Sequence, residues 1–318
     1  MRALWRARDL EPVKIRVYRH DAGRILLFAT LRNELDRLPY FLDYYRRLGV
    51  GHFHIIAHRC TDGSEAYLAR QADVSLWRST GCYKRARFGL DWLNRLLRLY
   101  GVGHWCLTVD ADEFLVYPHW TTRRLPALTH WLEQAGYRSF GALVLDLYPD
   151  GFVGEAALPK GDPTRLAAWF DPGNYRSQLD PKFGNLWIQG GPRERAMFAT
   201  EPQKAPALNK IPLVKWDRRS VYASSTHMLL PRGLNRVFDT KPGGRPSGCL
   251  LHTKFLGDLP LKAAEAVADG RHYSDSREYK AYLSAGGDYL RLRNEASQKL
   301  QDWRQLADLN LMTIGGWV

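Results

Sequence analysis

"RILLFAT" (residues 24–30) and, just after it, "LDRLPYFLDYYRRLG" (35–49) are the segments on which the fold turns. The first is a short apolar run without helical period, which reads as a strand buried on both faces. In the second, Leu35, Leu38, Phe41, Leu42, Tyr45 and Leu48 recur every three or four positions, Pro39 is tolerated in a first turn, and Gly49 supplies the stop. A strand followed by an amphipathic helix is predicted, and the pattern repeats downstream. "HFHIIA" (52–57) and "DVSLW" (73–77) read as strands, with a turn at "TDGS" (61–64) whose Ser64 is placed to cap a short helix. "RARFGLDWLNRLLRLYG" (85–101) carries Phe88, Trp92, Leu96 and Leu99 on one stripe, and "HWCLTV" (104–109) is a fourth strand. Such β-α repeats, with apolar strands that do not alternate, predict a parallel sheet covered by helices on both faces, with ligands gathered at the carboxyl ends of the strands. "LRNE" (31–34) and "DADE" (110–113) both fall at such ends.

Past residue 150, Pro, Gly and Asp become frequent and long ordered loops are expected. Strands resume at "IPLVKW" (211–216), "SVYASSTHMLL" (220–230) and "CLLHTKFL" (249–256), and charged amphipathic patterns from Asp258 predict helices to about Asn310. The 318 residues suffice for one large domain with elaborations. The net charge of +13 concentrates anions, whether nucleotides, nucleic acid, lipid head groups or acidic polysaccharide, without choosing among them. No run approaches the ~20 apolar residues of a membrane helix, and the N-terminal segment has no apolar signal region. Cys60, Cys82, Cys106 and Cys249 form no C-x-x-C, so reduced thiols and a cytoplasmic compartment are expected.

Asp110 and Asp112, at i and i+2 after a strand, are expected to face one site while Ala111 points away. Two converging carboxylates repel unless a cation sits between them. Hard oxygen ligands suit Mg²⁺ or Mn²⁺, and Mg²⁺ is commonly shared between carboxylates and substrate phosphates. The bland reading of the same residues is a helix cap or an ion pair with a nearby Arg.

Two motifs in order, "ATLRNELDRLPYFLDYYRRLGVGHFHIIAHRCTDGSE" (29–65) and "WCLTVDADEF" (105–114), resemble the bacterial family 2 glycosyltransferases, in the branch with R-N-E and D-x-D-E-F motifs. The resemblance covers residues 24–118 and thins beyond them, where "KIPLVKW" (210–216) and "LLHTKFL" (250–256) still fit. It implies an α/β, GT-A-like fold: a Rossmann-type mixed sheet flanked by helices, with an irregular acceptor half and a helical C-terminus. On that reading the chain divides into a basic leader (1–23), a catalytic domain (24–257, with a nucleotide-sugar half 24–118 and an acceptor half 119–257) and a C-terminal helical extension (258–318).

The implied activity is inverting, Mn²⁺- or Mg²⁺-dependent transfer of a sugar from a nucleotide-diphosphate sugar to a hydroxyl of a surface glycan or lipid-linked precursor. The resemblance makes Asp112 a metal ligand and gives Asp110 the ribose or a metal-bound water. It makes His252 a further metal or diphosphate ligand, and assigns Thr30, Arg32, Asn33, Glu34 and Asp62 to the donor. Where the family carries a base-reading Asp, this chain has Ala57 with His58 after it, which leaves uridine, guanosine and cytidine donors open. "QGGPRERAMF" (189–198) resembles the family segment in which a carboxylate opens a helix beneath the acceptor. Glu194 is thus the candidate general base, an ion pair with Arg193 or Arg195 its alternative, and Asp146 and Asp150 the reserves. Lys84 and Arg87 are expected near the diphosphate.

A nucleotidyltransferase acting on sugar phosphates would share the sheet, the metal and the phosphates, but "ATLRNE" (29–34) lacks the glycine of a phosphate loop. A non-enzymatic binder of an acidic polymer would interleave basic and aromatic residues on one face, whereas the eleven Trp are dispersed; no nucleic-acid partner is expected. The charge allows peripheral contact with an anionic inner leaflet. His52, His54, His58 and Cys60 lack the second ligand pair of a zinc site. A P-loop kinase is excluded because G-x-x-x-x-G-K-[ST] is missing.

Overall fold

Strand β2 (Ile25–Leu31) sends its side chains alternately to the two sides of a sheet: Ile25, Leu27 and Ala29 join one core, Leu26 and Phe28 the other. Both faces are therefore covered, which is why the run is apolar without alternation. The computed structural model describes residues 9–18, 21, 23–238, 244–269 and 273–317; of the expected basic leader, residues 1–8, 19, 20 and 22 lie outside the described residues.

The strands are β1 (Leu10–Lys14), β2, β3 (Val50–His58), β4 (Val74–Ser79), β5 (Trp105–Thr108), β6 (Glu113–Val116), β7 (Ser139–Asp146), β8 (Trp169–Phe170), β9 (Tyr175–Asp180), β10 (Asn185–Gly190), β11 (Asn209–Lys215), β12 (Val221–Ser224), β13 (Met228–Leu230), β14 (Gly248–His252) and β15 (Gln298–Lys299). Nine of them form one sheet in the order β1-β4-β3-β2-β5-β11-β7-β14-β6. Strands β4, β3, β2 and β5 run parallel, as the repeats predicted. The remainder is mixed: β11 lies antiparallel to both β5 and β7, β14 is parallel to β7, and β6 and β1 are antiparallel edges. A wholly parallel sheet requires a crossover after every strand. Here the turn through Asp110–Asp112 leads from β5 to β6 with no crossover helix, and β11 enters between β5 and β7 antiparallel to both. The result is the Rossmann-type mixed sheet flanked by helices.

Three local expectations change. Leu10–Lys14, taken as leader, is a strand on the sheet edge; the segment 220–230 folds as the β12–β13 hairpin; and the strand expected over 249–256 ends at His252.

Helix α1 (Leu38–Leu48) buries Leu38, Phe41, Leu42, Tyr44, Tyr45 and Leu48 and ends at Gly49, whose φ of 105° closes the helix. Full burial of a large apolar side chain contributes ~1.5–3 kcal/mol, so this face is ample to dock the helix. Its two tyrosines also serve β6. The Tyr44 hydroxyl donates to the Leu115 carbonyl at 2.6 Å, and the Tyr45 hydroxyl donates to the Glu113 carbonyl at 2.7 Å while accepting from the Leu115 N–H at 3.1 Å. The outer edge of the last strand is thereby satisfied without another strand.

Helices α2 (Ser64–Ala69), α3 (Leu90–Leu96), α4 (Leu125–Gln134), α5 (Pro163–Leu166) and α6 (Gly191–Met197) follow, then α7 (Leu259–Asp269), α8 (Tyr273–Ser284) and α9 (Trp303–Asp308). The predicted helix over 85–101 starts only at Leu90 and ends in a wider turn at Leu97–Gly101. Leu259, Ala263 and Tyr282 of α7 and α8 pack with Tyr148, Val153 and Phe255 into a small separate core. No helix among the described residues is long and apolar enough to cross a membrane.

Candidate active site

Strand β14 sits between β7 and β6, and its last residue, His252, is in register with Asp146 on one side and Glu113 on the other. Paired positions in a sheet point to the same face, so His252 meets Asp146 and the turn that precedes Glu113. Its Nδ1 lies 2.6 Å from Asp146 Oδ1 and its Nε2 lies 3.3 Å from Asp112 Oδ2. The Thr253 N–H and hydroxyl both donate to the Asp112 carbonyl, at 2.9 and 3.1 Å, and fix that turn. Burial opposes a charge on His252, but Asp112 and Asp146 more than offset it and push the imidazole up to about 9. The same pairing holds the Asp112 carboxyl well below its usual range, although burial acts the other way.

Asp110 takes a different direction. Its Oδ2 accepts from Lys210 Nζ at 2.8 Å, and the same ammonium donates to Glu113 Oε1 at 2.5 Å. Glu113 Oε2 accepts from the Asp110 N–H at 3.1 Å, which closes the turn. Lys210 is buried; the two carboxylates outweigh that burial and keep it charged. Asp110 and Asp112 thus line one cleft but from a turn rather than a strand, since β5 ends at Thr108, and their carboxylates engage different partners.

These residues fit a divalent ion in part. With Asp146 accepting the Nδ1 hydrogen, a neutral His252 carries its lone pair on Nε2, toward Asp112, in the carboxylate-oriented arrangement of metal-ligating histidines. Asp112 and His252 thus make a corner of one oxygen and one nitrogen donor. Asp110 does not complete it: among the described residues no group of three His, Cys, Asp or Glu is placed to hold a metal. Two protein donors suit an ion that takes its remaining ligands from water and substrate phosphates, and imidazole favours Mn²⁺ over Mg²⁺.

Two clefts meet here. The smaller, about 290 Å³, opens at the carboxyl ends of β2, β3 and β5 and is lined by Thr30, Arg32, Asn33, Glu34, His58, Tyr83, Asp110 and Asp112. The sequence thus brought the R-N-E segment and the acidic turn to one place. His58 stacks on Tyr83, with ring centroids 5.3 Å apart. Glu34 is engaged by Lys262 Nζ at 2.5 Å and by Arg37 at 3.1 Å, and burial raises its pKa despite both cations. Arg37 also pairs with Asp258 and donates to the Thr253 carbonyl, tying the R-N-E loop to the start of α7.

Asp62 does not line either cleft. Its carboxylate accepts from the Leu35 and Ser64 N–H groups at 2.9 Å, so it shapes the R-N-E loop from behind, and Ser64 opens α2 rather than capping it.

The larger cleft, about 630 Å³, shares Asp110, His252, Lys254 and Tyr279 with the first and extends to Trp187 and Gln189 on β10. Arg87 lines it, with its guanidinium on Asp91 at 2.5 Å, whereas Lys84 is in neither lining. Glu194, expected as a general base, lies outside both clefts: it is buried on α6 with its carboxylate on Arg176, a partner from the β9–β10 hairpin that its flanking arginines concealed. Those flanking arginines are used elsewhere, Arg193 on Asp146 and Glu278, Arg195 on Asp171. Asp150 pairs with Arg293. Gly190, the helix's N-cap, has φ 132°, and a Cβ there would fall 2.0 Å from the Asn174 carbonyl oxygen, so the Gly-Gly pair is a steric requirement of this corner.

His52 and His54 share a buried face of β3, as strand geometry demands, and contact Tyr18 and Ser75; no metal group forms there among the described residues. Five residues at the clefts or supporting them received no site role from the sequence: Lys210, Arg193 and Lys254, although each sits in a quoted segment, and Lys262 and Glu278, which sit in none. Lys254 and Arg193 pull Glu278 down to about 2 against its burial.

No family model matches the chain, and no curated protein does. Among solved structures, one likeness is to a 4-diphosphocytidyl-2C-methyl-D-erythritol synthase, at 16% identity and a TM-score of 0.28, over 44% of this chain and 66% of that one, just under two thirds of its length. Another is to a Bacillus anthracis protein described as a glucose-1-phosphate thymidylyltransferase in complex with sucrose, at 8% identity and a TM-score of 0.29, over 90% and 94% of the two chains. Likeness at this level has no bearing on the reaction.

Proposed function

We propose that the chain is a metal-dependent glycosyltransferase of the family 2 type, moving a sugar with inversion from a nucleotide-diphosphate sugar to a hydroxyl of a glycan or glycolipid. The observation that carries this reading is the junction of two clefts at Asp110, His252, Lys254 and Tyr279, one holding the R-N-E segment and the other presenting Trp187. Transfer needs a donor and an acceptor on opposite sides of one reacting centre, close enough to act as a single molecule. Thr30, Arg32 and Asn33 take the nucleoside in the smaller cleft. Lys254 and Lys262 face the same space and take the diphosphate. A Mn²⁺ or Mg²⁺ ion held by Asp112 and His252 would supply positive charge against the departing diphosphate.

Asp110 replaces Glu194 as candidate general base, because it is the carboxylate common to both clefts. The acceptor oxygen forms its bond to the sugar C1, the bond from C1 to the diphosphate oxygen breaks, and the acceptor proton passes to Asp110. The rival nucleotidyltransferase reading is disfavoured by the segment from Leu31 to Arg37, which contains no glycine to let backbone N–H groups wrap a triphosphate.

Calorimetric titration of UDP, GDP and CDP with and without Mn²⁺, on the intact protein and on Asp112→Ala, tests the donor site. Metal-dependent binding of one nucleotide, lost in the variant, is expected. No metal-dependent binding of any would make the acidic turn a structural feature. Release of pyrophosphate from a nucleoside triphosphate and a sugar 1-phosphate would instead establish the rival.

A further inference from the structure

The larger cleft carries an imbalance of charge. Six lysines and arginines line it, Arg87, Arg193, Lys204, Lys210, Lys254 and Arg277, beside His252, against three carboxylates, Asp110, Glu113 and Glu278. Most of the cations are committed: Lys210 to Asp110 and Glu113, Arg193 to Asp146 and Glu278, Lys254 to Glu278, Arg87 to Asp91, and His252 to Asp112 and Asp146. The surplus lies at the rim. Among the described residues Lys204 pairs only with Glu201, an exposed neighbour one helical turn away, and Arg277, on the exposed side of α8, has no ion pair. Exposed pairs of that kind hold their partners weakly and release them readily.

Beside this rim, Trp187 is 37% exposed, and Gln189 follows it at i+2 on the same face of β10. The Gln189 amide is spent on the protein, donating to the Gln203 and Ala205 carbonyls and accepting from Arg176, and so ties the Lys204 segment to this strand; the flat apolar plate of Trp187 suits the C–H face of a pyranose ring.

We infer that this cleft takes an acceptor sugar bearing an anionic group, a carboxylate or a phosphate, with its ring on Trp187 and its charge between Lys204 and Arg277. The inference rests on the transferase reading of the two clefts and adds the chemical class of the acceptor. A neutral sugar would leave the rim cations solvated and gain nothing from them; an anionic one gains charge-assisted hydrogen bonds there. The same chemistry is offered by a uronic acid within a glycan and by the phosphate of a lipid-linked sugar.

The test is ligand-detected NMR titration of the full chain, without nucleotide or metal, using methyl glucoside, methyl glucuronide and glucose 1-phosphate at low and high salt. At least one anionic sugar should bind five-fold or more tightly than the neutral one. That advantage should shrink in high salt and vanish in Lys204→Gln/Arg277→Gln, while Trp187→Ala weakens all binding. Preference for the glucuronide alone assigns an acidic glycan, and preference for the phosphate alone assigns a phosphorylated acceptor. Equal binding of the neutral sugar, no binding of any, an anion advantage that survives Lys204→Gln/Arg277→Gln, or binding unchanged in Trp187→Ala overturns the inference. Because the titration contains no nucleotide, failure of the donor reading is seen separately, in the calorimetry with UDP, GDP and CDP.

Discussion

His252 is gripped on both ring nitrogens by carboxylates from different parts of the chain, so its orientation depends on a residue that touches no substrate. Asp146→Asn should weaken Mn²⁺-dependent nucleotide binding ~10–100-fold, as loss of an orienting partner does at metal-bound histidines, and should also lower stability because it removes the charge paired with buried Arg193. Calorimetry against the intact protein measures it, and an unchanged affinity would free His252 from the proposed metal site. Lys210→Met leaves Asp110 and Glu113 facing each other without their cation. A loss of ~3–5 kcal/mol is expected on removing one side of such a buried pair, read by urea unfolding. At this scale the motifs were legible in part: R-N-E, the acidic turn and His252 reach one cleft, whereas Asp62 and Glu194, also carried by motifs, line neither. Lys210 was not legible, because its partners lie about one hundred positions away. Its one signal was a lysine inside the otherwise apolar run "KIPLVKW".

Among the elements, α1 and β6 depend on each other through two hydroxyls. Tyr45→Phe should cost ~1–3 kcal/mol, the penalty for leaving a buried N–H and carbonyl of β6 unsatisfied, with thermal unfolding as the measure. Strand β3 gives the fold a pH dependence. Burial lowers His52 to about 4 and His54 well below its ordinary value near 6.5, so both are neutral in the folded state. The stability they permit is full above pH 6.5 and is lost as pH falls from there toward 4, because the unfolded chain takes up the protons first. His54→Phe should flatten that slope in denaturant melts between pH 7 and 4; an unchanged slope would assign the acid sensitivity elsewhere. Periodicity found α1 and β2 through β5 and misjudged the helix over 85–101. Its stripe runs on through Phe88, yet Arg87, Phe88 and Gly89 all have positive φ, a turn that presents Tyr83 to one cleft and Arg87 to the other. Hydrophobic spacing carries no information on such a break.

Over the whole molecule, the order of elements was readable but the order of strands in the sheet was not. Inserting β14 between β7 and β6 joins residues over one hundred positions apart, and no local pattern encodes that choice. The net charge of +13 predicts a behaviour of the intact protein: it should float with liposomes rich in anionic lipid at low salt and be released by ~0.5 M salt, where the screening length falls to a few ångströms. Absence from the vesicle fraction at low salt would rule out membrane contact. The placing of β14 also sets a timetable for synthesis. A ribosome makes Asp112 and β6 early, yet the inner edge of β6 has no neighbour until residues 248–252 emerge. Through that interval the nascent chain exposes one unpaired strand edge and half of its proposed metal corner, so divalent-ion affinity would report that translation has passed His252 and the sheet has closed.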